Sequence, residues 1–228
     1  MKHAGNGLVP MLVSQRRPIS VAIPILFVLS VVVSVLAQTQ SAENQTTPLT
    51  GVAAIDAYCK ELDSFRKGKH NRARVFSKII PPDQSGETLS GNWREFKNAK
   101  SRESDFTSDH LYDVGDVWMR AGKVVVAEFE FGTAGDWSQV VTYYFRADGG
   151  LAKMRSNYGR FMGHIRIVKD KFYDSKGKRL QTRLQCSDLE ESGRRKKCSS
   201  DASEYDADVY KRVQNLPLYG VLKSRSPK

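Results

Sequence analysis

The chain has 228 residues, of which 40% are hydrophobic and 27% charged, with a formal net charge of +11 at pH 7. That is enough apolar material for one domain of ordinary size with a real core. No phosphate loop, dinucleotide fingerprint, Gly-x-Ser-x-Gly elbow or zinc-type Cys–His spacing occurs, so no catalytic or cofactor signature is available and no cofactor or metal is expected.

Lys2, Arg16 and Arg17 precede an uncharged apolar run from Pro18 to Ala37. A basic front, an apolar middle and a small-residue end make an export signal over 1–37. Val35 and Ala37 suit the −3 and −1 positions of a signal-peptidase site, which makes Gln38 the expected mature N-terminus. The alternative is an uncleaved anchor with the domain outside, because about 20 apolar residues can span a bilayer. Pro24 and the serines at 20, 30 and 34 weigh against it. The pair Arg16-Arg17 is followed by Pro18-Ile19-Ser20, which departs from a twin-arginine signal. Losing Lys2, Arg16 and Arg17 from a net +11 leaves a mature chain at +8. Residues 38–50 are polar and read as a flexible tether, with a glycosylation-type triplet at Asn44. A single globular domain over 51–222 and a frayed tail over 223–228 complete the organisation.

Val52, Ile55, Cys59 and Leu62 recur at helical spacing and predict a helix from about Val52 to Lys67, capped by Thr50 and ended by Gly68. Residues 69–111 carry weak signals: Arg74 to Ile80 reads as a helical turn or a strand, and Trp93 and Phe96 mark a short element. From Val114 the period changes to two. Strands are expected at 117–120, 124–131, 138–146, 151–158, 161–173 and 179–186, with Asp148-Gly149-Gly150 a strong hairpin turn. A last helix fits Glu204 to Asn215, with Tyr205, Val209 and Val213 in one stripe and Pro217 preventing continuation.

The class is therefore α+β: an antiparallel meander of about six strands, curved, with one buried face covered by an N-terminal and a C-terminal helix. A cystatin-like or NTF2-like half-barrel satisfies this pattern, as does a small lipocalin-style barrel. These are architectural analogies, and no motif identifies any of those families.

Export makes disulfides permissible. Of the three cysteines, Cys186 and Cys198 flank a polar loop and are paired here, while Cys59 belongs on the apolar face of the first helix as a buried free thiol.

Charge is uneven. Between Val140 and Arg183 eleven basic residues face three acidic ones, an excess equal to that of the whole mature chain. Strand parity places Tyr144, Arg146, Arg155, His164, Arg166, Arg179 and Arg183 on one exposed sheet surface. Guanidinium groups with an interleaved aromatic suit an anionic polymer or lipid surface, whereas a merely solvated outer face is the plainer account. Outside the cytosol, nucleic acid is a less natural partner than an anionic envelope polymer or lipid. The expected function is a non-enzymatic exported binding or envelope-associated domain. The alternatives are a small exported hydrolase or isomerase using His164 with Glu128 or Glu130 in a sheet cavity, and a secreted inhibitor or chaperone-like module. Oligomeric state is not encoded in any pattern. Ser64-Phe65-Arg66-Lys67 matches a Ser-x-x-Lys nucleophile motif without its companions and reads as chance, and Trp93, Trp118 and Trp137 read as core or rim aromatics.

Overall fold

A computed structural model describes residues 50–79, 92–105, 111–133, 137–191, 194–198 and 206–224. The leader with its Ala37/Gln38 cleavage point, the tether up to residue 49 and the tail from 225 lie outside them. Residues Pro48–Lys228 form a compact unit of their own.

In chain order this unit contains α1 (Val52–Arg66), β1 (Arg74–Ile79), β2 (Asn92–Phe96), α2 (Ala99–Asp105), β3 (Leu111–Arg120), β4 (Lys123–Thr133), β5 (Trp137–Phe145), β6 (Leu151–Arg160), β7 (Ile165–Tyr173), β8 (Arg179–Asp188), a 3-10 turn (Val213–Asn215) and α3 (Tyr219–Ser224). The strands form one open antiparallel sheet in the order β2-β1-β3-β4-β5-β6-β7-β8. Eight strands replace the six expected. The additional pair, β1 and β2, comes from the weakly patterned segment, where Arg74 to Ile80 read as a helical turn or a strand and Trp93 and Phe96 as a short element. The strands are short, and β1 is paired on its other side by β3, a neighbour distant in sequence, while β2 lies at the sheet edge.

The consecutive hairpins from β3 to β8 follow the alternation that predicted them. Gly149, at φ 77, takes the left-handed conformation in the β5–β6 turn, where a side chain would be strained. The long strand expected from Phe161 starts only at Ile165, because Phe161 to His164 form a turn.

Tyr143 and Tyr144, adjacent on β5, show that both faces of this sheet are covered. Tyr143 packs with Phe76, Val117, Phe129, Phe145, Leu151 and the C-terminal residues Val213, Leu216, Leu218 and Leu222. Tyr144 packs on the other side with Val126, Ala152, Phe172 and the α1 residues Ile55, Cys59 and Leu62. The expectation of a one-sided sheet with both covers on the same face is corrected accordingly. Ile55 and Leu62 are fully buried, and each such side chain contributes roughly 2 kcal/mol to docking the helix. Thr50 provides no cap; α1 follows Gly51, whose carbonyl accepts from the Ile55 N–H.

The C-terminal cover is not the helix expected over 204–215. Among the described residues, 206–212 form no helix before the 3-10 turn, and Arg212 has extended backbone. The Leu151 N–H donates to the Lys211 carbonyl, the Val213 N–H donates to the Gly149 carbonyl, and Gly150 bridges Arg212. Pairing with the β5–β6 turn thus replaces intrahelical bonds, while Val209, Tyr210 and Val213 still reach the apolar face. Gly115 admits this cover: a Cβ there would sit 3.1 Å from both Leu218 Cδ2 and Phe129 Cε1.

Candidate functional site

The face beneath α1 carries a row of polar side chains running across the strands. Register places Asp116 opposite Glu128, Glu128 opposite Thr142, Thr142 opposite Arg155, Arg155 opposite Asp170 and Asp170 opposite Arg183. In an antiparallel sheet directly opposed residues share a face. The next row along the strands adds Tyr144, Lys153 and Phe172.

Helix α1 brings Asp56 and Asp63 down onto this row. They are seven residues apart and so lie on nearly the same side of the helix. Lys153 Nζ, whose side chain is only 4% exposed, lies 2.7 Å from Asp56 Oδ1 and 3.2 Å from Asp170 Oδ2. Arg155 grips Asp170 through two hydrogen bonds of 2.8 and 2.9 Å. Arg183 donates to the other Asp56 oxygen and lies over the Phe172 ring, as does Lys153. Further along, Arg66 bonds Glu128 at 2.5 Å, Thr142 donates to the same carboxylate at 2.8 Å, and the Tyr144 hydroxyl donates to Asp63 at 2.9 Å.

The result is a balanced ionic lattice. Burial works to raise the Asp56 carboxyl, but hydrogen bonds from Lys153 and Arg183, with their charges, outweigh it and hold Asp56 below its ordinary range. The two bonds to Asp170 hold Arg155 more firmly charged than usual. Burial, reinforced by the Asp63 charge, raises the Tyr144 phenol. A cavity of about 190 Å³ opens among Asp56, Cys59, Asp63, Lys153, Arg155 and Arg183. Its thiol, Cys59, is pushed up to about 12 by burial and stays protonated.

Of the seven residues expected to share one exposed cationic surface, Tyr144, Arg155 and Arg183 do share a face, but α1 covers it and carboxylates neutralise its cations. Arg166 follows them on β7 toward the sheet end, exposed, with its Nε donating to Asn157 at 2.8 Å. Arg146 is buried just past β5, where it donates to the carbonyls of Leu151 and Tyr173. Arg179 pairs with Tyr173 beyond a register shift that takes it out of the Arg183 row.

His164 is not in a strand. It stands in the β6–β7 turn at φ 48, with Nδ1 2.8 Å from Glu190 Oε1, while Glu128 is engaged under α1. The alternative that sets His164 beside Glu128 or Glu130 in a sheet cavity is therefore not the arrangement found: His164 meets Glu190. Ser64 donates to the Lys60 carbonyl as a helical back-bond. Trp93 meets Phe129 edge-to-face, Trp118 packs against α1 and Trp137 stacks on Tyr158.

A second group gathers at the sheet end. Cys186 and Cys198 lie at disulfide distance, with sulfurs 2.11 Å apart. The loop between them returns along β8: Ser187 bridges Arg195, the Leu189 N–H donates to the His164 carbonyl, and Lys196 Nζ reaches that carbonyl at 3.0 Å. Two acidic residues here are engaged by cations, Asp188 with Lys196 at 2.7 Å and Glu191 with Arg194 at 3.0 Å, while Glu190, 71% exposed, meets His164. The Lys196 bond, with the backbone N–H groups of Glu191 and Glu190, holds Asp188 down at about 2. Arg160, Arg195 and Lys197 are exposed and make no ion pair with any described residue.

Among the described residues, no cluster of three or more His, Cys, Asp or Glu is placed to hold a metal ion, and no helix is long and apolar enough to cross a membrane. No protein-family model, curated protein or solved structure matches the chain.

Proposed function

We propose that this chain is an exported, envelope-associated binding domain whose partner is anionic. The surface assigned to that partner is the sheet end, where β6 turns into β7 and the 186–198 loop returns along β8, rather than the face beneath α1. One contrast carries the reading. Lys153, Arg155 and Arg183 spend their charge on Asp56 and Asp170, whereas Arg160, Arg195 and Lys197 are exposed without such partners among the described residues and Arg166 meets only a neutral amide in the bond described above. Unpaired exposed cations are available to phosphate or carboxylate at little desolvation cost. The basic front, the apolar run of 18–37 and the paired cysteines support a location outside the cytosol.

The test uses the Gln38–Lys228 chain, which holds the whole compact unit. It is titrated with soluble polyglutamate and polyphosphate at two ionic strengths. Affinity is expected to fall steeply with salt, since charge pairing and counterion release both require it. Replacing Arg166 and Arg195 together by Ala weakens binding. Replacing Arg183 by Ala leaves binding intact, because that arginine serves the α1 contact. Absent or salt-independent binding, or a double variant that binds like the parent, overturns the reading.

A further inference from the structure

Resting on that reading, we infer that the anionic partner is a lipid bilayer, and that the β6–β7 tip, Phe161 and Met162, inserts between its headgroups. Phe161 is 48% and Met162 71% exposed, and they are two of the four large hydrophobic side chains exposed among the described residues. A single exposed apolar residue needs no explanation, but two adjacent ones at a hairpin tip flanked by exposed cations form a patch of a defined kind.

The tip is held in place. Gly163 at φ 94 and His164 at φ 48 close the turn, and the His164 N–H donates to the Phe161 carbonyl at 3.1 Å. The His164 carbonyl in turn accepts from Leu189 and Lys196 of the cystine loop. Phe161 and Met162 are therefore presented on a braced turn.

The cations stand on both sides of this tip. Arg166, Ser187 and Arg195 occupy one cross-strand row and share a face. Arg160 opposes Ile165, one position along from Arg166, and so belongs to the other face. From β6 to the segment beyond β8 is three strand spacings, about 15 Å, which suits several headgroups at once. A soluble polyanion would satisfy the arginines and leave Phe161 and Met162 in water. An anionic membrane surface satisfies both, with the rings and thioether at the acyl boundary and the cations at headgroup level.

Vesicles of phosphatidylcholine with and without phosphatidylglycerol test this by co-sedimentation of the Gln38–Lys228 chain, alongside the polymer titration above. The chain is expected on phosphatidylglycerol vesicles and not on pure phosphatidylcholine. Phe161→Ser with Met162→Ser lowers vesicle affinity by roughly tenfold or more, from the apolar area lost to the membrane, and leaves polymer binding unchanged. Phe161→Trp gives an emission blue shift on adding anionic vesicles that the parent chain lacks. Both sites are exposed, so the fold is retained, and circular dichroism verifies that. Polymer binding without vesicle binding overturns the lipid assignment and leaves the anionic reading standing, as does a double serine variant that binds vesicles like the parent. Failure on the polymers overturns the anionic reading itself, and the lipid assignment that rests on it.

Discussion

Asp56→Ala probes the contact that fastens α1 to the sheet. Asp56 receives Lys153 at 2.7 Å and also pairs with Arg183. Removing it leaves Lys153, 4% exposed, with only the longer 3.2 Å contact to Asp170. Truncating one partner of a fully buried pair costs about 3–5 kcal/mol, and Asp56 is only partly buried. The Arg183 arm is surface-like and adds roughly 0.2–1 kcal/mol. Alanine returns a few tenths of a kcal/mol as the better helix former, about 0.5 at most. The net loss expected is about 2–4 kcal/mol, or roughly 5–15 °C in Tm for a unit of this size.

Urea unfolding of the parent, Asp56→Ala, Lys153→Met and the double variant supplies the cycle. The coupling energy is expected at about 1–3 kcal/mol. The pH dependence adds an independent check. The folded carboxyl lies below its ordinary 3.8. Its contribution is therefore complete above that value and is lost as pH falls through the lower folded one. The parent should lose stability below about pH 4 more steeply than Asp56→Ala. A coupling within about 0.5 kcal/mol of zero, or parallel acid profiles, refutes the claim that this carboxylate clamps the helix.

Two further outcomes follow from buried groups. Cys59, 2% exposed and pushed up to about 12, should resist a thiol-specific reagent in the native protein at mildly alkaline pH and react stoichiometrically in denaturant; immediate labelling of the native chain contradicts its placement under α1. Arg146→Met should destabilise by about 2–4 kcal/mol by stranding two carbonyls, and Arg146→Lys should not restore stability, because one ammonium cannot span both. Unfolding curves matching the parent would remove that role, and polymer affinity in either variant should be unchanged.

Local chemistry was enough to write much of the scaffold. Alternation over 114–186 specified β3 to β8 and their hairpins, because each strand there pairs with its neighbour in the chain and a half-buried pleat imposes period two. Ile55, Cys59 and Leu62 specified the buried stripe of α1, and the spacing of Cys186 and Cys198 indicated their pairing. Three features depended on distant segments. The short β1 gains its second neighbour only when β3 arrives, and residues 206–212 surrender helical bonds for pairing at the β5–β6 turn, where Gly150 bridges Arg212. Most of all, the basic window of 140–183 looked like an exposed cationic face, since a tally along the chain cannot register neutralising carboxylates that come from elsewhere. Asp56 reaches Arg183 across 127 positions. A carboxylate pair seven apart beside the α1 stripe was the one available hint. Composition therefore determined how much charge the domain carries, but only packing decided which cations are spent internally and which are left facing the solvent at the β6–β7 end, because Coulomb attraction acts through space and takes no account of order along the polymer.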